Sequence, residues 1–242
     1  MSGQSRKIAG VMGGMGPDAT VDFMSKVIAI TDSARDQDHV HMVVDQDPTV
    51  PNRQAAIKSG KDDVSPHLAA MAKRLENAGA DFLVMVCNTA HVFLDGVRKS
   101  ANIPFISIID ETIAEIDKLC VDAKTVGIMA TDGCLDTHIY QDAVKASGRT
   151  ALIPDDSEVR RLMELISAIK AGNKDDEIAR GMEAVAQSLV ARGADAIIAG
   201  CTEIPIVFEG NEFPVPVIAS TNVLAKKTLS LAQGLEPLPA KN

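Results

Sequence analysis

One phrase is written twice along this chain, and each time it ends in a cysteine. Gly79-Ala80-Asp81 leads into an apolar run and then Cys87-Asn88-Thr89, while Gly193-Ala194-Asp195 leads into an equally long run and then Cys201-Thr202-Glu203. The Asp-to-Cys spacing is six residues both times. The repeat reaches well beyond the cysteines. Lys7-Ile8-Ala9-Gly10-Val11-Met12 is echoed by Lys124-Thr125-Val126-Gly127-Ile128-Met129, and each leads into a glycine-containing turn, Gly13-Gly14-Met15-Gly16 or Asp132-Gly133. A helix-like segment precedes each Gly-Ala-Asp, Ala70 to Leu75 in one half and Ala184 to Leu189 in the other, at the same offset of 114 residues as the cysteines. Ile103-Pro104-Phe105-Ile106-Ser107 matches Val215-Pro216-Val217-Ile218-Ala219 at an offset of 112. Order and spacing that persist over such a length mark a duplicated structural unit.

Periodicity says what kind of unit it is. Residues 8–12, 82–86, 125–129 and 196–199 are continuous apolar runs separated by helix-period segments, the pattern of parallel strands covered on both faces. The expected fold is α/β: two similar lobes related by pseudo-twofold symmetry, each with a central, mainly parallel sheet flanked by helices. Residues 1–102 with 215–242 are assigned to the first lobe and 103–214 to the second, with a cleft between them. Ligands of such sheets gather at the carboxyl ends of the strands. Gly13, Gly14, Cys87, Thr131 and Cys201 all fall there. The Pro-containing tail, residues 235–242, is expected to be loosely held.

Composition removes several function classes. A net charge of -9 argues against a nucleic-acid surface, which needs clustered Lys and Arg, and with no Trp and one Tyr there is little to stack on bases. The apolar runs fall far short of the roughly 20 residues that a membrane-spanning helix requires. Residues 1–7 run straight into a strand-like segment without the apolar stretch of a secretory leader, so a cytoplasmic location is expected. The four cysteines (Cys87, Cys120, Cys134, Cys201) show no CxxC spacing, and free thiols are expected.

The chemistry follows from the paired cysteines. A fold that sets one thiol at the same point of each half can present two thiols to one carbon from opposite sides. A two-base proton transfer needs that arrangement, one group removing a proton while another delivers one. At a strand-to-helix junction each thiol would feel a helix N-terminus, which favours thiolate. Asn88, Thr89, Thr131 and Thr202 can donate hydrogen bonds to a carboxylate where charge develops, or can simply cap helices. The Gly13 to Gly16 turn, with Pro17 at a first helical position, offers backbone NH groups to an anion, or is a plain tight turn; Gly14 and Met15 are its candidate contacts. His91, four residues after Cys87, would share a helix face with it, and Glu203 would orient the second thiol or pair with a neighbouring strand. Cys87, His91 and Cys201 also raise a zinc reading, which lacks a clear fourth ligand. Cys120 reads as a core residue.

These motifs together resemble the aspartate/glutamate racemase family, in particular its aspartate racemase branch. The resemblance rests on Gly13-Gly14-Met15-Gly16-Pro17-x-Ala19-Thr20, Asp36-Gln37-x-His39, Pro51-x-Arg53, Cys87-Asn88-Thr89-Ala90-His91 and Ala199-Gly200-Cys201-Thr202-Glu203, and it covers essentially the whole chain. It implies a homodimeric enzyme with a small amino-acid substrate, acting without pyridoxal phosphate, metal or other cofactor, with Cys87 and Cys201 as the acid/base thiols. It further implies that Arg53 and Lys170 meet the side-chain carboxylate of aspartate, roles suited to a bidentate Arg and a second cation. Three positions depart from the branch pattern: Asp47 stands where Asn or Ser is common, Asn52 where Asp is common, and Cys134 where Thr usually follows a glycine. They bear on substrate choice. The alternatives are a glutamate or broad-specificity racemase, a maleate-isomerase-like enzyme or decarboxylase, and a non-enzymatic small-anion binding protein.

Overall fold

In the computed structural model residues 6–208 and 212–241 are described; residues 1–5, read above for a leader, and Asn242 at the end of the tail lie outside them. The chain divides into two compact units, one running to Ile108 and resuming at Leu224, the other Ile109–Val223.

The first unit contains β1 (Ala9–Gly13), α1 (Pro17–Ile30), β2 (Met42–Gln46), α2 (Arg53–Ser59), α3 (Val64–Asn77), β3 (Phe82–Met85), α4 (Leu94–Ser100) and β4 (Phe105–Ile106). Its sheet has the order β2-β1-β3-β4, and every neighbouring pair is parallel. Helix α5 (Ile108–Leu119) then leads into β5 (Thr125–Met129), α6 (Asp132–Asp136), α7 (Ile139–Ala146), β6 (Thr150–Leu152), α8 (Asp156–Lys170), α9 (Asp176–Ala191), β7 (Ala196–Ala199) and β8 (Val217–Ala219). This second sheet has the order β6-β5-β7-β8, again all parallel. Helix α10 (Ser220–Ala232) completes the fold. The two sheets thus share one topology, as the repeat requires.

The units change over one strand later than residues 103 and 215. Residue 103 leads into β4, whose Phe105 and Ile106 pair with Leu83 and Val84; residue 215 leads into β8, whose Val217 to Ala219 pair with Ile197 to Ala199. Each half finishes its own sheet before the chain leaves it.

The Gly-Ala-Asp phrase has a structural cause. Asp81 begins the approach to β3, and its Oδ2 accepts a hydrogen bond from the Ile8 backbone NH at 2.7 Å, while its own NH donates to the Ile8 carbonyl at 2.8 Å. Asp195 does the same for β7: its Oδ2 accepts from the NH groups of Lys124 and Thr125, both at 2.9 Å, and its NH donates to the Thr125 carbonyl at 2.8 Å. Each Asp fastens a central strand to the start of its neighbour. The backbone bonds to Asp195, from Thr125 first and then Lys124, hold its carboxyl below the usual carboxylate range.

Separate apolar cores form under the two sheets. Met12, Leu68, Met71, Leu75, Leu83 and Phe105 are buried together in the first, and Leu162, Leu165, Ile169, Met182, Leu189 and Ile197 in the second. Cys120, just past α5, is buried, and that burial pushes its thiol up. The tail is tied where it begins, because the Leu235 NH donates to the Ser230 carbonyl at 2.9 Å and Glu236 pairs with Lys227 at 2.6 Å. No helix among the described residues is long and apolar enough to cross a membrane.

Candidate active site

Matched backbone geometry carries the two cysteines. At the end of β3 the Val86 NH donates to the Met12 carbonyl at 3.0 Å, and Cys87 is the next residue; at the end of β7 the Gly200 NH donates to the Met129 carbonyl at 2.8 Å, and Cys201 is the next residue. Each thiol therefore leaves the sheet at the same step beyond the same ladder. Both are free cysteines with little exposure, 6% for Cys87 and 5% for Cys201. Cys134 and Cys120 are also free and buried.

The turns that follow are short 3-10 segments rather than the α-helices expected, Thr89–Phe93 after Cys87 and Ile204–Ile206 after Cys201. In the first, His91 faces the backbone of the turn. Its Nδ1 lies 2.8 Å from the Cys87 carbonyl, and the Ile108 NH donates to its Nε2 at 3.1 Å. Because Nε2 accepts, the ring is neutral with its proton on Nδ1, donating to that carbonyl. Burial lowers its pKa to about 4. Its ring also meets Phe105 edge-on, with centroids 5.6 Å apart. His91 thus anchors the Cys87 turn to the start of α5, with both ring nitrogens engaged by backbone.

The β1 turn is built as its glycines suggest. Gly14 has φ of 91°, and a Cβ there would lie 2.5 Å from the Asp47 backbone. The Gly14 NH donates to Thr20 Oγ1 at 2.9 Å, and Pro17 opens α1. Arg53, the first residue of α2, reaches this turn: Nη2 donates to the Met15 carbonyl at 3.4 Å, and Nη1 to the carbonyls of Val50 and Pro51 at 3.0 and 2.9 Å. Three carbonyls therefore fix the guanidinium between the β1 turn and the loop ahead of α2.

The departing residues near Arg53 have local work. Asn52 caps α2 by accepting from the Ala55 NH at 3.0 Å. Asp47 accepts from the Thr49 hydroxyl at 2.6 Å and backbone NH at 3.0 Å, and pairs with Arg74 at 3.3 Å. Those contacts, the Thr49 hydroxyl first, hold its carboxyl below the usual range, so its charge is already matched within the first unit.

In the second unit Thr131 caps α6 by accepting from the Cys134 NH at 3.3 Å, so capping is its observed role there. Glu203 is 2% exposed, and its Oε2 accepts from the Cys201 thiol at 3.0 Å and from the Thr202 hydroxyl at 3.3 Å. Its Oε1 lies 3.5 Å from Lys170 Nζ at the end of α8. Burial first, then the Glu203 charge, push the Cys201 thiol well up, with Lys170 partly offsetting them. The expected thiolate-favouring helix terminus is therefore outweighed at Cys201. Sequence reasoning also missed Tyr140. Its ring lies where a Cβ on Gly200 would come within 2.8 Å, and its hydroxyl bonds with Thr112 and Ser220. Burial keeps the phenol protonated far above its ordinary range. Its partners are remote in sequence and no spacing announces them.

Among the described residues no group of three or more His, Cys, Asp or Glu is arranged to hold a metal.

Each unit thus carries a cysteine one residue past the last ladder bond of its own parallel sheet. The chain belongs to the Asp/Glu/hydantoin racemase family, whose model matches residues 12–228. It is 31% identical over 228 residues to the broad specificity amino-acid racemase of Bacillus subtilis, covering 91% of this chain and 96% of that one. Among solved structures it resembles the aspartate racemase of Picrophilus torridus, with a TM-score of 0.84, 30% identity and 96% of each chain covered. The glutamate racemase of Francisella tularensis, solved with D-glutamate, shares the fold at a TM-score of 0.66 and 19% identity over 98% of this chain and 84% of that one.

Proposed function

We propose that this chain interconverts L- and D-aspartate by two-base proton transfer between Cys87 and Cys201, without a cofactor. The observation that carries this reading is the equivalent placement of the two thiols, each one residue beyond the last ladder bond of its sheet. One thiolate removes the α-proton: the C–H bond breaks and an S–H bond forms. The opposite thiol then delivers its proton to the other face of the carbanion. The roles exchange in the reverse direction.

Asn88, Thr89, Thr131 and Thr202 offer donors to the α-carboxylate as charge builds up on it. Met15 and Gly14 shape the floor of the β1 turn, and Arg53 and Lys170 receive the side-chain carboxylate. Similarity to the Picrophilus aspartate racemase supports aspartate. A broader amino-acid range is the second reading, favoured by the similarity to the Bacillus enzyme and by Cys134, fully buried where the family usually has Thr. The proposal extends to a cytoplasmic homodimer, for which sedimentation should show a dimer at assay concentration.

Exchange of the α-proton in D2O, followed by NMR across a panel of amino acids, tests the assignment. Fastest exchange is expected for both enantiomers of aspartate. Exchange led by alanine or lysine would overturn the carboxylate clamp, and no exchange with any amino acid would overturn racemization.

A further inference from the structure

Two matched thiols need not be equivalent thiols. Cys87 is followed by Asn88 and Thr89, whereas Cys201 is followed by Thr202 and Glu203. The Glu203 carboxylate is within the second thiol's reach, with Oε2 3.0 Å from Sγ, and it is almost wholly withdrawn from water at 2% exposure. Its other oxygen, Oε1, is buried with no hydrogen-bond partner and has Lys170 Nζ 3.5 Å away as its counter-charge. The titratable groups around Cys201 are Glu203 in its own turn, Lys170 from α8 and the phenol of Tyr140 from α7. Tyr140 stays neutral, so Glu203 supplies the only negative charge among them.

An anion that accepts the S–H bond stabilises the thiol and opposes a second negative charge on sulfur. Resting on the racemase reading, we propose that Glu203 is a positioning residue that keeps the proton on Cys201, so that the free enzyme presents Cys201 as its acid. Lys170 sets the strength of this hold. Paired with Glu203, its cation moderates the field on the sulfur. When a substrate carboxylate takes up that cation, the field on Cys201 grows and the proton is held more firmly. Recognition of an acidic side chain and protonation of the acid are thereby linked through three adjacent groups. A merely steric role for Glu203 would not depend on its charge.

The test is the rate at which iodoacetamide labels Cys201 as a function of pH, resolved by peptide mass spectrometry in wild type, E203Q and K170M. Labelling requires thiolate but no turnover. E203Q keeps the shape and an acceptor but loses the charge, so Cys201 labelling near pH 7.5 should rise by about tenfold or more, one unit of pKa or greater. K170M should slow it by about threefold, and K170R should restore the wild-type rate. Labelling unchanged or slower in E203Q overturns the proposal. If E203Q fails to fold, K170M decides alone: faster labelling there overturns it.

Turnover separates this proposal from the reading beneath it. With racemization present, E203Q should move the alkaline limb of the pH profile of kcat/KM to lower pH, because that limb reports the acid of the free enzyme. Racemization with unmoved labelling would sink the role of Glu203 alone. Shifted labelling without racemization would sink the racemase reading and leave the thiol–carboxylate pair standing.

Discussion

Burial decides the behaviour of single residues here more than sequence neighbours do. His91 was expected to share a helix face with Cys87, yet its ring is spent on two backbone groups and is neutral. Its folded pKa of about 4 lies below its ordinary value of 6.5, so between those values the unfolded chain binds a proton that the fold excludes. Stability is therefore whole above about pH 6.5 and falls as pH drops toward 4, by roughly 2 kcal/mol at pH 5. Replacing His91 by Gln should cost about 1 to 3 kcal/mol at pH 7 through the lost bonds, and the gap from wild type should narrow by roughly 2 kcal/mol at pH 5. Urea midpoints at the two pH values check this; parallel curves would contradict it. Glu203 shows what sequence could and could not supply. Its closeness to Cys201 was legible from a spacing of two residues, but its effect of raising the thiol required knowing that the carboxylate is buried against the sulfur.

At the scale of elements, legibility follows position in the sheet. Strands β5 and β7 coincide with their continuous apolar runs, because they are interior and covered on both faces. Strands β2 and β6 gave no such run: each is an edge strand, partly exposed, with polar residues such as Asp45, Gln46 and Thr150 among its few positions. The turns were legible where chemistry forces them. Gly14 sits at a positive φ with the Asp47 backbone against it, so G14A should cost about 2 kcal/mol or more and disturb the loop that carries Arg53. A lowered thermal midpoint together with lost activity would register this, while a variant with wild-type stability would show that the turn is looser than described. The repeated Asp residues are fasteners between strands. D81A should lose about 1 to 3 kcal/mol through its bond to the Ile8 NH, measurable by denaturant unfolding, and D81N should recover part of that loss. Equal losses in both variants would show that acceptance by the side chain is not what matters. The contribution of Asp195 has a sign of its own: its carboxyl is held low, so that contribution is present above the ordinary carboxylate range and fades as pH falls through the lowered value.

For the whole molecule the duplicated phrase proved to be a duplicated topology, with strand order β2-β1-β3-β4 repeated as β6-β5-β7-β8. The surroundings of the two cysteines are alike in backbone and unlike in side chains: His91 bonds to the Cys87 carbonyl, whereas Glu203 accepts from the Cys201 thiol with Lys170 beside it and Tyr140 packs against Gly200. That difference suits a reaction in which two similar groups take opposite protonation states at any moment. Two-base transfer needs both thiols. C87S and C201S, each purified separately and checked for a native thermal transition, should be compared with wild type for racemization of aspartate by circular dichroism. Each variant should lose racemization by about a hundredfold or more, the scale of one acid/base group. Full racemase activity in either one would contradict the two-thiol account.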